Sequence, residues 1–303
     1  MDSNIKYVLI LLLVFAPDIF ASRPVRNWQT PKTASLGGAG VALPTAIEGL
    51  YLNPALFSFF TESIFSFQSL SGKIAPVNDS RESVFNDAKS PRGFSASVTD
   101  GSNQSKGGFS YTDQEESGVK RKKFSFGASD MIDANTSIGF GYSLAKDEIK
   151  ETTSSTRSTQ SHIFSMGLAQ IINPNLSWAV VWYDPAWADR INSKTTWGIN
   201  FKPINELTLL ADLGSDLKRS FNKTYSYSLA VEYQALKDVY LRYGTFVDKL
   251  FNTEGSGFGI GWIGPKIGLE FSQKRTVRKN ALATYLLESE KLKETELSFL
   301  YLF

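Results

Sequence analysis

The sequence predicts an all-β chain: a transmembrane antiparallel β-barrel of about fourteen strands with a small N-terminal plug in its lumen. Three observations predict it. Near the start stands an apolar leader too short to cross a membrane as a helix. From Glu62 onward, segments of roughly ten residues alternate large apolar side chains with small or polar ones, the period of a transmembrane strand. The last segment, Thr295 to Phe303, sets Leu297, Phe299, Tyr301 and Phe303 on one strand face and stops on an aromatic, because successive side chains of a strand point to opposite sides.

Residues 1–22 read as a cleaved secretory signal peptide. Lys6 precedes an apolar run from Tyr7 to Phe15, Pro17 breaks it, and Ala21-Ser22 supplies the small residues of a cut site. The chain has no cysteine, which excludes a disulfide scaffold, a thiolate metal site and a lipidated N-terminus. A net charge of +2 suggests no nucleic-acid partner. Aromatics make up 13% of the chain although its mean hydropathy is slightly negative. A barrel produces that combination by showing lipid one face of each strand and a polar interior the other.

Residues 62–303 carry the barrel. Strands are predicted at 62–72, 92–100, 106–113, 121–130, 135–147, 158–171 and 175–183. Seven more follow at 193–202, 206–213, 222–235, 238–248, 254–263, 266–277 and 291–303. Ile138, Phe140, Tyr142 and Leu144 give the clearest alternation, and Phe258, Ile260 and Trp262 repeat it between glycines. From residue 130 onward, short turns such as Asn173-Pro174 and Gly264-Pro265 alternate with longer polar links, as periplasmic turns and external loops do. A core strand in a soluble β-protein is the competing explanation of the last segment, and it does not require that alternation. On the barrel reading, Tyr301 and Phe303 form the signal read by the barrel-assembly machinery.

Residues 23–61 break the strand pattern. Their apolar, glycine-rich character suits burial inside the lumen. Here Gly37-Gly38-Ala39-Gly40-Val41-Ala42 is followed by Leu52-Asn53-Pro54-Ala55-Leu56. This pair of motifs resembles the start of FadL-like outer-membrane proteins, a superfamily of long-chain fatty acid and hydrocarbon transporters that also holds the PorV/PorQ-type barrels. The resemblance implies an outer-membrane location, a hydrophobic small-molecule ligand, no cofactor, and a hatch that includes Gly37, Gly38, Gly40, Asn53, Pro54 and Ala55. It also implies a lateral exit at the third strand, where Gly107-Gly108 is the candidate gap. Paired glycines weaken a strand and often mark a bend, although glycines are frequent throughout these strands. The chain is shorter than the usual transporters, so their external hydrophobic groove is not implied. A PorV-like assembly barrel that transports nothing is the alternative.

Catalysis finds little support. The only histidine, His162, is aligned with Phe164, Met166 and Leu168 on a face expected to meet lipid, with no serine two residues away. Glu115-Glu116 and Asp147-Glu148 are expected in solvated loops. Lys120-Arg121-Lys122-Lys123 stands where cations can meet lipopolysaccharide phosphates or simply solvent. Trp178, Trp182, Trp187, Trp197 and Trp262 are expected mostly in interfacial girdles.

Overall fold

The alternating segments become a wall that closes on itself. In the computed structural model, which describes residues 25–76, 90–102, 106–116, 118–150, 156–189, 192–216, 218–279 and 290–303, fourteen antiparallel strands form one closed barrel. The expected signal peptide lies outside the described residues. The first seven strands are β1 (Ile64–Pro76), β2 (Arg92–Asp100), β3 (Lys106–Glu116), β4 (Val119–Met131), β5 (Thr136–Lys150), β6 (Thr156–Asn173) and β7 (Leu176–Tyr183). The other seven are β8 (Lys194–Ile204), β9 (Leu207–Ser215), β10 (Ser226–Leu236), β11 (Val239–Asp248), β12 (Thr253–Ile263), β13 (Ile267–Arg278) and β14 (Glu290–Leu302).

Closure is made by β1 and β14, paired from Ile64↔Leu302 to Pro76↔Glu290. A closed ladder leaves no strand edge to be satisfied in lipid. The pleat then sorts the residues. Phe65, Phe67, Phe109, Phe126 and Phe140 are exposed on the outside, whereas Ser66, Gln68, Ser97, Ser110 and Thr112 are buried within. Leu297, Phe299, Tyr301 and Phe303 all stand on the outer face. Register shifts fall at Ile171/Asn173, Phe201/Ile204 and Gln234/Leu236, each beside a short turn.

Several strands run beyond their apolar alternation at the long-loop end, because backbone pairing continues after the lipid-facing pattern stops. Glu116 and Glu148, expected in loops, are therefore strand residues. The expected strand over 222–235 starts at Ser226 instead. Phe221–Thr224 forms a helical turn closed by Tyr225 N–H donating to the Phe221 carbonyl at 2.9 Å. The 249–252 link is no longer than the 132–135 turn, so the alternation of long and short connections is looser than the sequence suggests.

Residues from Val25 to Ser63 fill the lumen. They form helix α1 (Pro31–Ser35), helix α2 (Glu48–Tyr51) and a 3-10 helix (Pro54–Phe59). Val41, Ala42, Ala55 and Leu56 pack against Ala169 of β6 and Ala179 and Val181 of β7. Leu36, Ala39 and Leu43 pack against Leu210 of β9. Burying a side chain such as Leu36 or Leu56 contributes about 1.5–3 kcal/mol, so these contacts hold the segment inside an otherwise polar wall.

Candidate functional site

The plug rests on wall positions that have no side chain. Below the 3-10 helix, a Cβ on Gly139 of β5 would lie 2.3 Å from the Ala55 nitrogen. One on Gly167 of β6 would lie 1.8 Å from Asn53 Oδ1, and one on Gly127 of β4 would lie 2.7 Å from the Phe57 ring. A second seat lies on β11 and β12. There, a Cβ on Gly244 would come within 2.2 Å of the Leu36 carbonyl carbon, and one on Gly257 within 2.0 Å of the Ala34 carbonyl oxygen. Lumen-facing glycines let plug backbone approach wall backbone closely.

The Asn-Pro-Ala motif now has a physical reading. Asn53 Oδ1 accepts from the Ala55 N–H at 3.1 Å, capping the 3-10 helix, and Pro54 takes the first position where no N–H is needed. The Asn53 amide donates to the Val41 carbonyl at 3.1 Å, joining this motif to the glycine cluster. Ala55 is fully buried and small enough for the Gly139 seat. Wall serines satisfy the plug's carbonyls: Ser137 donates to Ala55, Ser177 to Ala42 and Ser228 to Gly37, at 2.8–3.0 Å.

Gly37, Gly38 and Gly40 hold φ at +64°, +93° and +141°, values that strain other residues. This path aims the Gly40 and Val41 N–H groups at Asp212 Oδ2 of β9, at 2.9 and 3.1 Å. Within the plug, Thr30 caps α1 by accepting from the Thr33 N–H and donates its own hydrogen to Glu48, while Thr33 donates to Glu48 Oε2 at 2.7 Å. Burial pushes the Glu48 carboxyl up from the ordinary range, against the opposing pull of the Thr30 and Thr33 hydroxyls and the Lys32 charge.

The opposite end of the plug is held by ions. Arg26 pairs with Glu294 of β14 at 2.7 Å and Glu116 of β3 at 3.4 Å, and Glu116 also meets Arg278 at 3.3 Å. The Val25 carbonyl accepts from Arg121 of β4 and from Asn192. Trp28 is buried and donates to Gln68 Oε1 at 2.7 Å. Between this end and the glycine cluster lies a cavity of about 190 Å³, bounded by Gly37, Gly38, Val41, Tyr51 and Leu52 of the plug. Its wall mixes Tyr183 and Phe246 with charged groups that include Lys194, Asp212 and Lys274, so it is less apolar than a hydrocarbon alone requires.

The third strand is continuous. Gly107 pairs with Asp100 and Ala128, and Gly108 with Thr99 and Gly127, with no register shift on either side. Lys106, just before them, donates to the Ser58 and Phe60 carbonyls and ties the strand to the plug's exit.

Other sequence candidates scatter. His162 stands on the outer face with its Nδ1 2.7 Å from the Tyr142 hydroxyl. Among the described residues no group of three or more potential metal ligands comes together. Of the basic run at 120–123, Arg121 and Lys123 turn inward: Arg121 pairs with Asp147 and Asp189, and Lys123 donates to Tyr183. Trp182, Trp197 and Trp262 are exposed on the barrel exterior, but Trp187 sits in the β7–β8 link under Lys218 and Arg219. Arg26, Trp28, Glu48 and Asp212 went unseen in the sequence. Each is a single polar or aromatic residue outside any motif, and only the fold supplies its partner.

Fold and plug together define a closed fourteen-strand antiparallel barrel with a plugged lumen. No protein-family model and no curated protein matches the sequence. Solved structures do match in fold. The monoaromatic hydrocarbon channel CymD superposes with a TM-score of 0.73 at 12% identity, covering 94% of this chain and 99% of that one. The toluene transporter TbuX of Ralstonia pickettii gives 0.67 at 11% identity, covering 94% and 100%. A FadL homologue from Pseudomonas aeruginosa gives 0.63 at 11% identity, covering 93% and 99%.

Proposed function

We propose that this chain is an outer-membrane channel for passive passage of small molecules with a hydrophobic body, of the long-chain fatty acid or hydrocarbon class, gated by the plug. The observation that carries this reading is the plug itself. It fills the lumen on two glycine seats and leaves a ring-sized cavity above the glycine cluster. In the proposed mechanism a ligand enters from the long-loop side and reaches that cavity. A shift of the hatch around Asn53-Pro54-Ala55, with release of Gly37, Gly38 and Gly40 from the wall, then opens the way on. Lateral exit at Gly107-Gly108 requires the β2–β3 or β3–β4 ladder to part, because both are paired in this state. No covalent chemistry or cofactor takes part.

The continuous third strand favours a second reading, a sealed PorV-like barrel that docks a secretion or display partner. The two separate by uptake of radiolabelled toluene and oleate in a host lacking its own hydrocarbon and fatty-acid porins, with heat-modifiable gel mobility reporting a folded barrel. Uptake above the empty-vector host supports the channel. A well-folded barrel that takes up neither supports the scaffold.

A further inference from the structure

The outer surface carries its charge unevenly at the long-loop end. Strands β1 and β13 flank β14, and both registers set like charges opposite each other: Lys73↔Lys293 on one side and Lys293↔Arg275 on the other. All three side chains are exposed. Alternation puts them on the outer face, since their neighbours Leu292, Glu294, Lys274 and Thr276 are buried on the lumenal one. Like charges directly opposite in a sheet destabilise it. Among the described residues, none of the three has an ion-paired or hydrogen-bonded side-chain partner.

Nearby carboxylates are committed elsewhere. Glu294 and Glu296 are buried on the lumenal face, where Glu294 holds Arg26, and Glu254 of β12 pairs with Lys279 at 2.7 Å. On β2 to β5 the outward cations are instead interleaved with acids. Arg92 meets Glu115 at 2.8 Å, Lys120 meets Asp113 at 3.4 Å and Lys146 meets Glu148 at 3.0 Å. That part of the wall balances its own charge, and the β13–β14–β1 seam does not. Position gives the counter-ion. Next to the cationic row, toward the bilayer, come the outward Ser71, Thr295 and Gln273, and beyond them the exposed apolar faces of Phe67, Leu297, Phe299 and Leu269. Lys293 lies about 13 Å along β14 from Leu297 at the usual strand rise, past the lipid-facing surface on the long-loop side. Opposed side chains stand about 4.5–5.5 Å apart at Cβ, close enough for these cations to share one phosphate.

We infer that this row binds the phosphates of lipopolysaccharide, the phosphorylated lipid of the outer leaflet. Lys73, Lys293 and Arg275 donate to phosphate oxygens while the acyl chains cover the apolar faces below, so the lipid supplies the negative charge that the seam lacks. The inference rests on the outer-membrane location in the channel reading and is independent of what the barrel passes.

The test offers three probes to the purified full-length barrel in a neutral detergent: bisphosphorylated lipid A, the same lipid dephosphorylated, and inorganic phosphate. Two variants accompany the parent. One combines Lys73→Gln, Lys293→Gln and Arg275→Gln, and a control combines Lys120→Gln with Lys146→Gln, cations that already have acidic partners. Heat-modifiable mobility checks that each is folded. The parent should bind bisphosphorylated lipid A at least about tenfold tighter than the dephosphorylated lipid, as charge-assisted bonds add to apolar contact. The triple variant should lose that preference and the control should keep it. Without lipid, the triple variant should melt at a higher temperature than the parent, because the opposed charges are gone. Equal binding of the two lipids by the parent, or a preference that survives in the triple variant, overturns the inference. A triple variant that melts lower than the parent contradicts the repulsion on which the site rests. Inorganic phosphate bound as tightly as the lipid makes this a free-anion site and overturns the lipid assignment. Density fractionation of the host membranes keeps the readings apart. A barrel found outside the outer membrane removes lipopolysaccharide as the occupant together with the location. A barrel in the outer membrane with no phosphate preference removes the site alone and leaves the channel standing.

Discussion

Where the plug meets β4–β6 it lies against bare backbone, whereas at the long-loop end Arg26 is gripped by two carboxylates. The first contact is neutral and short-ranged, made by glycines that lack a side chain and by serines that donate to plug carbonyls. The second depends on buried charges that must stay paired. A seat of the first kind can part and re-form without leaving a charge uncompensated. Breaking the second takes a buried partner from Glu294 and leaves Glu116 with Arg278 alone. On the proposed channel reading, the difference assigns movement to the glycine-seated segment and anchoring to Arg26.

That contrast can be broken from either side. Arg26→Ala should have the largest effect. It takes the 2.7 Å partner from Glu294 and one of two arginine partners from Glu116, carboxylates that are 6–7% exposed, so the docked plug should lose about 3 kcal/mol. Early proteolytic cleavage within residues 25–35 would report it, and a plug as protected as the parent's would refute the anchor. Gly139→Val places a Cβ where the Ala55 nitrogen and the Pro54 carbonyl carbon stand, each 2.3 Å away. Overpacking of this kind costs about 1–3 kcal/mol, and hydrogen exchange at Asn53–Phe57 should rise while β14 stays protected. Asn53→Ala removes the cap and the Val41 link, for about 0.5–2 kcal/mol, with the same local readout and no effect on Arg26.

The smallest effect is a pH dependence. Because burial raises the Glu48 carboxyl in the docked plug, docking favours its protonated form. That contribution is fully present below the ordinary carboxylate value and is lost as pH rises through the raised one. Plug protection should therefore fall as pH increases, and Glu48→Gln should flatten the profile. A parent profile already flat over that range would rule Glu48 out.

The barrel was legible in the sequence because alternation is a local property: Phe65, Phe67, Phe109 and Phe126 each announce an outer face through their immediate neighbours. The long-loop ends were less legible, since Glu116 and Glu148 continue strands by backbone pairing after the outward apolar pattern ends. Motifs located the plug, but the reason for them was out of reach. Asn53 serves as both cap and tie, and its landing sites, Gly139 and Gly167, lie far along the chain among glycines that look alike. Asp212 and Arg26 sit in no motif at all, and only closure of the barrel brings Asp212 to Gly40 and Arg26 to Glu294. At Gly107-Gly108 the composition suggests a bend, yet pairing on both sides holds the strand straight in register, so composition alone does not decide a gap.

The most direct test of a moving plug uses the absence of native cysteine. Ser58 in the 3-10 helix and Ser129 in β4 bring their hydroxyls within 2.6 Å, so Ser58→Cys with Ser129→Cys offers a bridge between plug and wall. Toluene and oleate uptake should be absent when the pair is oxidised and return to the parent rate on reduction. Equal uptake in the oxidised and reduced states would contradict a gate made by this segment.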